Sequence, residues 1–273
     1  MKIFDIKDFG AKGDGQTNDH EAFMKAATAI NQQGGGHLII SPGTYIVGQQ
    51  KRVNEGNIYY KGIEALYIHD CDGLVIEGFQ AKIVYQAGLK FGYYESSGNV
   101  YTPQDLQNRV LPLSGDIGAF IALGNCTNVE IKNLDVDGNN GQLSLGGEVG
   151  TGRQCIHYGI FTMTVRRLKI TNVRCHHFGT DGISLRNLKP GAKGGDAAAP
   201  YWLGDQNILE NVICDYNGRN GMTLTASSNV TFNSCSFNHN ATDPNISSKP
   251  KAGVDIEAES HSDGSGYNYR VRF

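Results

Sequence analysis

A chain of 273 residues with 39% hydrophobic and 19% charged content can bury one large core. Its net charge of −3 offers no basic face for nucleic acid, and no apolar run reaches the ~18 residues a membrane-spanning helix needs. Thirty-six glycines fit a chain with recurring tight corners.

Met1 is followed by a strand-like start without a charged and apolar leader. The chain is therefore read as cytoplasmic or as the mature part of a secreted or cell-surface protein. Phe4-Asp-Ile-Lys-Asp-Phe-Gly has strand character, and Ala11-Lys-Gly-Asp-Gly-Gln-Thr is a turn cluster. Asn18 stands three residues before Glu21, a capping-box spacing. Ala22, Phe23, Ala26, Ala27 and Ile30 then give one apolar face of a helix near residues 19–32, ended by Gly34-Gly-Gly. His37-Leu-Ile-Ile and Thr44-Tyr-Ile-Val flank the turn Ser41-Pro-Gly. Residues 1–50 read as an N-terminal capping module and 51–273 as one continuous domain.

That domain repeats. Ile63-Glu-Ala-Leu-Tyr-Ile leads to Leu74-Val-Ile-Glu-Gly and Ala81-Lys-Ile-Val-Tyr; Ala119-Phe-Ile-Ala-Leu leads to Val129-Glu-Ile-Lys-Asn and Leu134-Asp-Val-Asp-Gly. Tyr158-Gly-Ile-Phe, Asp181-Gly-Ile-Ser, Asn220-Gly-Met-Thr and Ala252-Gly-Val-Asp continue the series. Their apolar markers Ile160, Ile183, Met222 and Val254 are 23, 39 and 32 residues apart, so the extra residues must be loops. Three short strands per turn, with no room for a crossover helix, describe an all-β parallel β-helix of about six coils. Asn133, Asn172 and Asn211, then Ser234, align at one corner as a side-chain ladder. Cys175/Cys214 and Cys71/Cys126 fall on inward rungs. Strands about 4.8 Å apart would permit a disulfide, but free thiols packed as small hydrophobes are the favoured reading.

Excursions at 86–117, 138–156, 187–206 and 241–251 rim the sheet of first strands, where they would make a groove. Tyr93, Tyr94, Tyr101, Tyr201 and Trp202 on them could stack on sugar rings or pack their own loops. Ile183, Leu185, Val254 and Ile256 should point inward. Their neighbours Ser184, Arg186, Thr223, Thr225, Asp255 and Glu257 should then line the groove, with His157, Tyr158, Asp181, Arg219, Asn220 and Lys251 just before them. Carboxylates here can protonate a leaving oxygen or activate water, and an arginine can hold a uronate. Candidate catalytic residues are Asp181, Arg219, Asp255, Glu257 and His157; candidate substrate-binding residues are Arg186, Tyr158, Tyr201, Trp202 and Lys251. No residue set is read as a metal site, although Asp181, Asp255 and Glu257 could offer oxygen ligands to Ca²⁺. His176 and His177 lie away from the groove and read as structural.

Phe9-Gly-Ala-Lys-Gly-Asp-Gly-Gln-Thr-Asn-Asp, the helix, Gly34-Gly-Gly and Ser41-Pro-Gly-Thr-Tyr resemble the start of the pectate-lyase-like right-handed β-helix superfamily. That resemblance implies polygalacturonase-, epimerase-, lyase- or tailspike-type relatives, and specifies fold better than reaction. Within it Asp14 and Asp19 are turn and cap residues. Gly179-Thr-Asp-Gly-Ile-Ser resembles the Asn-Thr-Asp-Gly motif of polygalacturonases, which would make Asp181 a catalytic carboxylate. The next coil reads Gly218-Arg-Asn-Gly where that family has an Asp-Asp pair, and no Gly-His-Gly or Arg-Ile-Lys motif follows. Leu134-Asp-Val-Asp-Gly-Asn resembles a stretch of alginate-epimerase-like β-helices. The expectation is a protein that binds and cleaves an acidic polysaccharide, with a slight preference for β-elimination over hydrolysis. The alternative is a non-catalytic carbohydrate-binding or tailspike-like stem. The tail after Glu257 gives one more strand and no cap, so a missing C-terminal portion or a homo-oligomeric cover is expected there.

Overall fold

The computed structural model describes residues 1–102, 112–147, 155–187, 206–257 and 269–273. His20–Gln33 forms the helix and buries Ala22, Phe23, Ala26, Ala27 and Ile30. Its start departs from a capping box. The N-cap residue Asp19 spends its carboxylate on the Lys12 and Gly13 amides (2.6 and 2.9 Å), fastening the preceding turn, while Asn18 Oδ1 accepts from the His20 amide at 2.9 Å. Gly34 ends the helix at φ +75°, a left-handed conformation that costs glycine least.

The helix closes the first end of the solenoid. Phe23 packs edge-on against Phe120 and Tyr45, at centroid distances of 5.3 and 5.7 Å. Asn31 donates to the Tyr67 carbonyl (2.9 Å) and accepts from the His69 amide (3.0 Å). Its amide thereby satisfies the open edge of the strand Leu66–His69, which would otherwise invite pairing with another chain.

Beyond the cap, strands stack in parallel. Gly36–Ile40 and Gly43–Val47 pair with Asp72–Tyr85, which pairs with Gly118–Asp137, which pairs with His157–His176. From there Ile183–Arg186, Met222–Thr225 and Val254–Glu257 continue the first-strand sheet, while Asn207–Asp215 and Ser228–Asn233 continue the others. Leu66, Ile121, Ile160, Ile183, Met222 and Val254 occupy one inward row. The parallel row of Ile68, Leu123, Thr162, Leu185 and Leu224 ends on Ile256. Ile256 is 48% exposed although the alternation predicts it inside, because no further first strand stacks beneath it among the described residues. The six cysteines are free thiols, and Cys175 and Cys214 are neighbours on one buried rung. Burial pushes both thiols up.

Corners are made by single left-handed residues, which bend a coil without ending its ladder. Asn133, Asn172, Asn211 and Ser234 have φ of +58°, +54°, +52° and +53°. Asn211 donates to Asn172 (3.2 Å) and Asn172 to Asn133 (3.1 Å), so the anticipated ladder is present. It offsets the ~1 kcal/mol or more a non-glycine residue spends in that conformation. The next corner stacks rings instead: His177 on Tyr216 (5.2 Å, 7°) and Tyr216 on His239 (5.0 Å, 10°), all three left-handed.

A second, smaller sheet was not anticipated. Gln49–Glu55 and Ile58–Ile63 form a hairpin, extended by Leu113–Gly115, Lys90–Tyr94 and Ser144–Leu145. Tyr93, Tyr94 and Tyr101 are buried, and Tyr94 donates its hydroxyl to the Ser144 carbonyl at 2.6 Å. These three rings therefore pack their own excursion and present no face to a groove.

Candidate active site

Alternation sends the neighbours of the inward rows outward. One outward row runs Ala122, Phe161, Ser184, Thr223, Asp255, and the next runs Gly124, Met163, Arg186, Thr225, Glu257. The face is apolar at one end and ionisable at the other. At the apolar end Tyr67, His69, Ala122, Gly124, Phe161 and Met163 line an open cleft, with Tyr67 55% exposed. Tyr158 stacks on Phe161 (5.4 Å, 26°), and the Arg186 guanidinium lies 5.5 Å from the same ring centre.

At the ionisable end the start-of-coil turns bring Asp181, Arg219 and Asn220 together. Arg219 grips Asp181 with two parallel bonds, Nε to Oδ1 at 2.7 Å and Nη2 to Oδ2 at 2.5 Å. The Thr223 hydroxyl donates to Asp181 Oδ2 (2.8 Å) and the Asn220 amide to Oδ1 (3.2 Å). Both charged side chains are sealed, at 0% and 1% exposure. Burial alone would push the Arg219 guanidinium down, but the paired carboxylate overrides it and pushes it up. From this knot Asn220 Nδ2 reaches Asp255 Oδ2 at 3.2 Å, and Thr225 donates to Glu257 Oε2 at 3.1 Å. Arg219 Nη1 stands 3.9 Å from Glu257 Oε1.

Asp255 and Glu257 are half-buried, two residues apart on one strand face. Burial raises the Asp255 carboxyl, and the neighbouring Glu257 raises it further against the pull of Arg219. Two carboxyls so placed, one of them raised, can supply a proton donor and an acceptor side by side. Tyr158 is buried against the knot, and burial together with the Asp181 carboxylate pushes its phenol up to about 12.

The other expected site residues divide between the groove, the core and the surface. His157 does not face the groove. It is wholly buried between Tyr85 and Phe178 (4.8 and 4.9 Å), its Nδ1 accepts the Gly179 amide at 3.0 Å, and burial pushes it down to about 3. The strand begins at His157 with its side chain turned inward, so the residue is a neutral core group. Arg186 is half-buried at the groove, bonded to Ser184 at 3.4 Å. Lys251 is exposed and donates to Ser247 at 3.0 Å. Tyr201 and Trp202 lie outside the described residues. The outward aromatic platform of Phe161 and Tyr67 was not singled out from sequence, although each directly adjoins an inward residue of the repeat.

These features define a parallel β-helix with a carboxyl pair on its first sheet. The model of the right-handed β-helix region matches residues 26–265, and the chain belongs to that family. Alginate lyase 7 of Azotobacter vinelandii is 25% identical over 240 residues, covering 82% of this chain and 24% of that protein. Plasmin and fibronectin-binding protein A of Streptococcus pneumoniae is 30% identical over 151 residues, covering 47% and 20%. The chain thus spans a quarter or less of these curated relatives. Among solved structures, the Agl-KA catalytic domain aligns with TM-score 0.51 at 18% identity, covering 99% of this chain and 36% of that one; the likeness is one of fold.

Proposed function

We propose that the chain binds a polysaccharide along the outer face of its first sheet and cleaves it, with Asp255 as proton donor and Glu257 as its partner. The observation that carries this reading is the carboxyl pair Asp255 and Glu257, two residues apart on one outward strand face, held by Asn220 and Thr225 beside the sealed Asp181–Arg219 pair. A protonated carboxyl can give its proton to the leaving glycosidic oxygen, a contribution of roughly 10²–10⁴-fold in rate. Tyr67 and Phe161 supply the apolar platform on which a sugar ring can rest, and Arg186 the cation for a uronate carboxylate.

Arg219 shifts the balance towards hydrolysis. Elimination needs a free cation beside the uronate carboxylate, and Arg219 is engaged by Asp181 through Nε and Nη2, faces Glu257 with Nη1, and is closed to solvent. The likeness to an alginate lyase supports elimination as the second reading, with Arg186 in the neutralising position. A polysaccharide of this kind lies outside the cell, so we place the protein in the secreted or surface class.

Incubation with pectate, alginate, glycosaminoglycans and neutral glucans tests the reading. New reducing ends without absorbance near 235 nm are expected from a hydrolase. Both signals rising together would establish elimination, and binding without either would leave a carbohydrate-binding module.

A further inference from the structure

We propose that Asp137, His176 and His177 form a binding site for a divalent transition-metal ion, of the Zn²⁺ class, on the corner that follows the third strands. The site is separate from the carboxyl pair on the first sheet and does not depend on the reading of that pair. Among the described residues this is where His, Cys, Asp or Glu ligand atoms converge in a group of three. Asp181, Asp255 and Glu257 do not form such a group.

Three ligand atoms from two neighbouring coils converge at this corner. His176 Nδ1 and His177 Nδ1 face each other at 2.6 Å, and Asp137 Oδ1 lies 3.8 and 3.9 Å from them. An ion about 2.0 Å from all three atoms at those separations would lie in their plane with a nitrogen–metal–nitrogen angle of about 80°, so a tetrahedral zinc needs the two rings to part by about 0.7 Å. Without an ion, two imidazole nitrogens so placed must share one proton; with an ion, both lone pairs are used.

The surrounding groups set the lone pairs. His176 Nε2 bonds Asp135 Oδ1 at 2.9 Å, which puts its proton on Nε2 and leaves Nδ1 bare towards the site. His177 is held by its stack on Tyr216 (5.2 Å, 7°), which fixes the plane of its ring beside His176. Asp137 Oδ1 accepts the Asn139 amide at 2.9 Å, and Lys82 lies 3.6 Å from its other oxygen. Exposure is 6% for His176, 19% for Asp137 and 42% for His177, so the fourth position opens into a cleft between Asn139, Tyr216 and Asp243. Two imidazoles and one carboxylate with an open position suit Zn²⁺, Co²⁺ or Ni²⁺ over Ca²⁺, whose oxygen-rich shell is absent here.

Isothermal titration of the purified, chelator-treated chain with Zn²⁺, and the visible absorbance of the Co²⁺-loaded form, test the site. One equivalent is expected, with loss of at least a hundredfold in affinity for His176→Ala and for His177→Ala. Asp135→Asn should weaken binding about 10–100-fold by releasing His176. His69→Ala, at an exposed His–Asp pair elsewhere, should leave binding unchanged. Far-ultraviolet circular dichroism checks that each variant folds, and the half-exposed His177 gives the variant least able to disturb the core. Absence of Zn²⁺ binding, or equal binding by wild type and His177→Ala, would overturn the proposal and leave a shared proton between two structural histidines.

Discussion

Arg219→Met separates a structural role for the buried pair from a catalytic one. The substitution removes the donors at 2.7 and 2.5 Å and leaves Asp181 with the Thr223 hydroxyl and the Asn220 amide, at 2.8 and 3.2 Å. An uncompensated carboxylate sealed from water costs about 3–5 kcal/mol when its partner is deleted. At roughly 2–4 °C per kcal/mol for a domain of this size, the melting temperature should fall by ~6–20 °C. Asp181→Asn/Arg219→Met should recover most of that loss, because the pair's net worth is small once neither charge is stranded. Thermal melts followed by circular dichroism give all three values. A single variant that melts with wild type, while losing all turnover of a glycan, would refute the reasoning and make Arg219 a cation that touches substrate.

Other outcomes follow from the same geometry. Turnover should decline as pH rises through the raised Asp255 value, and Glu257→Gln should move that limb to lower pH, since one cause of the elevation is gone. Phe161→Ala should weaken glycan binding ~5–10-fold, the worth of one ring contact, with little change in melting. Burial raises Asp116 to about 6 against the opposing Ile156 amide and Ser114 hydroxyl. Its unfolded value is near 3.9, so it costs nothing below pH ~4. Stability is lost as pH climbs from there through ~6, by about 3 kcal/mol in all. Asp116→Asn should therefore stabilise the chain at pH 8 and not at pH 4, read by denaturant titration at both. Asn172→Ala removes two ladder bonds and strains a φ of +54°, for about 2–3 kcal/mol. Asn172→Gly, which keeps the backbone relaxed, should cost about 1 kcal/mol less.

The solenoid was legible because its period is written in alternating apolar residues and in asparagine at one corner. Ile160, Ile183, Met222 and Val254 stack as their spacing required, and Asn133, Asn172 and Asn211 bond one another. The second sheet was not legible, because the hairpin Gln49–Ile63 pairs with Leu113–Gly115, about 55 residues further on, and neither segment belongs to the repeat. Sequence placed Asp181, Arg219, Asp255 and Glu257 on one face, and the structure brings them into one network. Depth was beyond it: alternation assigns a side, and whether Asp181 is sealed or His157 turned inward depends on packing from other coils. The His176–His177 pair was read as structural because it lies away from the groove; the pairing of the coils sets Asp137 beside it.

Cleavage on this face depends on Asp255 as the proton donor. The direct measurement is the rate of reducing-end release by Asp255→Asn beside wild type, on whichever polysaccharide the panel shows to be cleaved. A loss of at least ~100-fold with an unchanged melting curve is predicted. Turnover by Asp255→Asn within a few-fold of wild type would contradict the account and move the proton donor elsewhere on the β-helix.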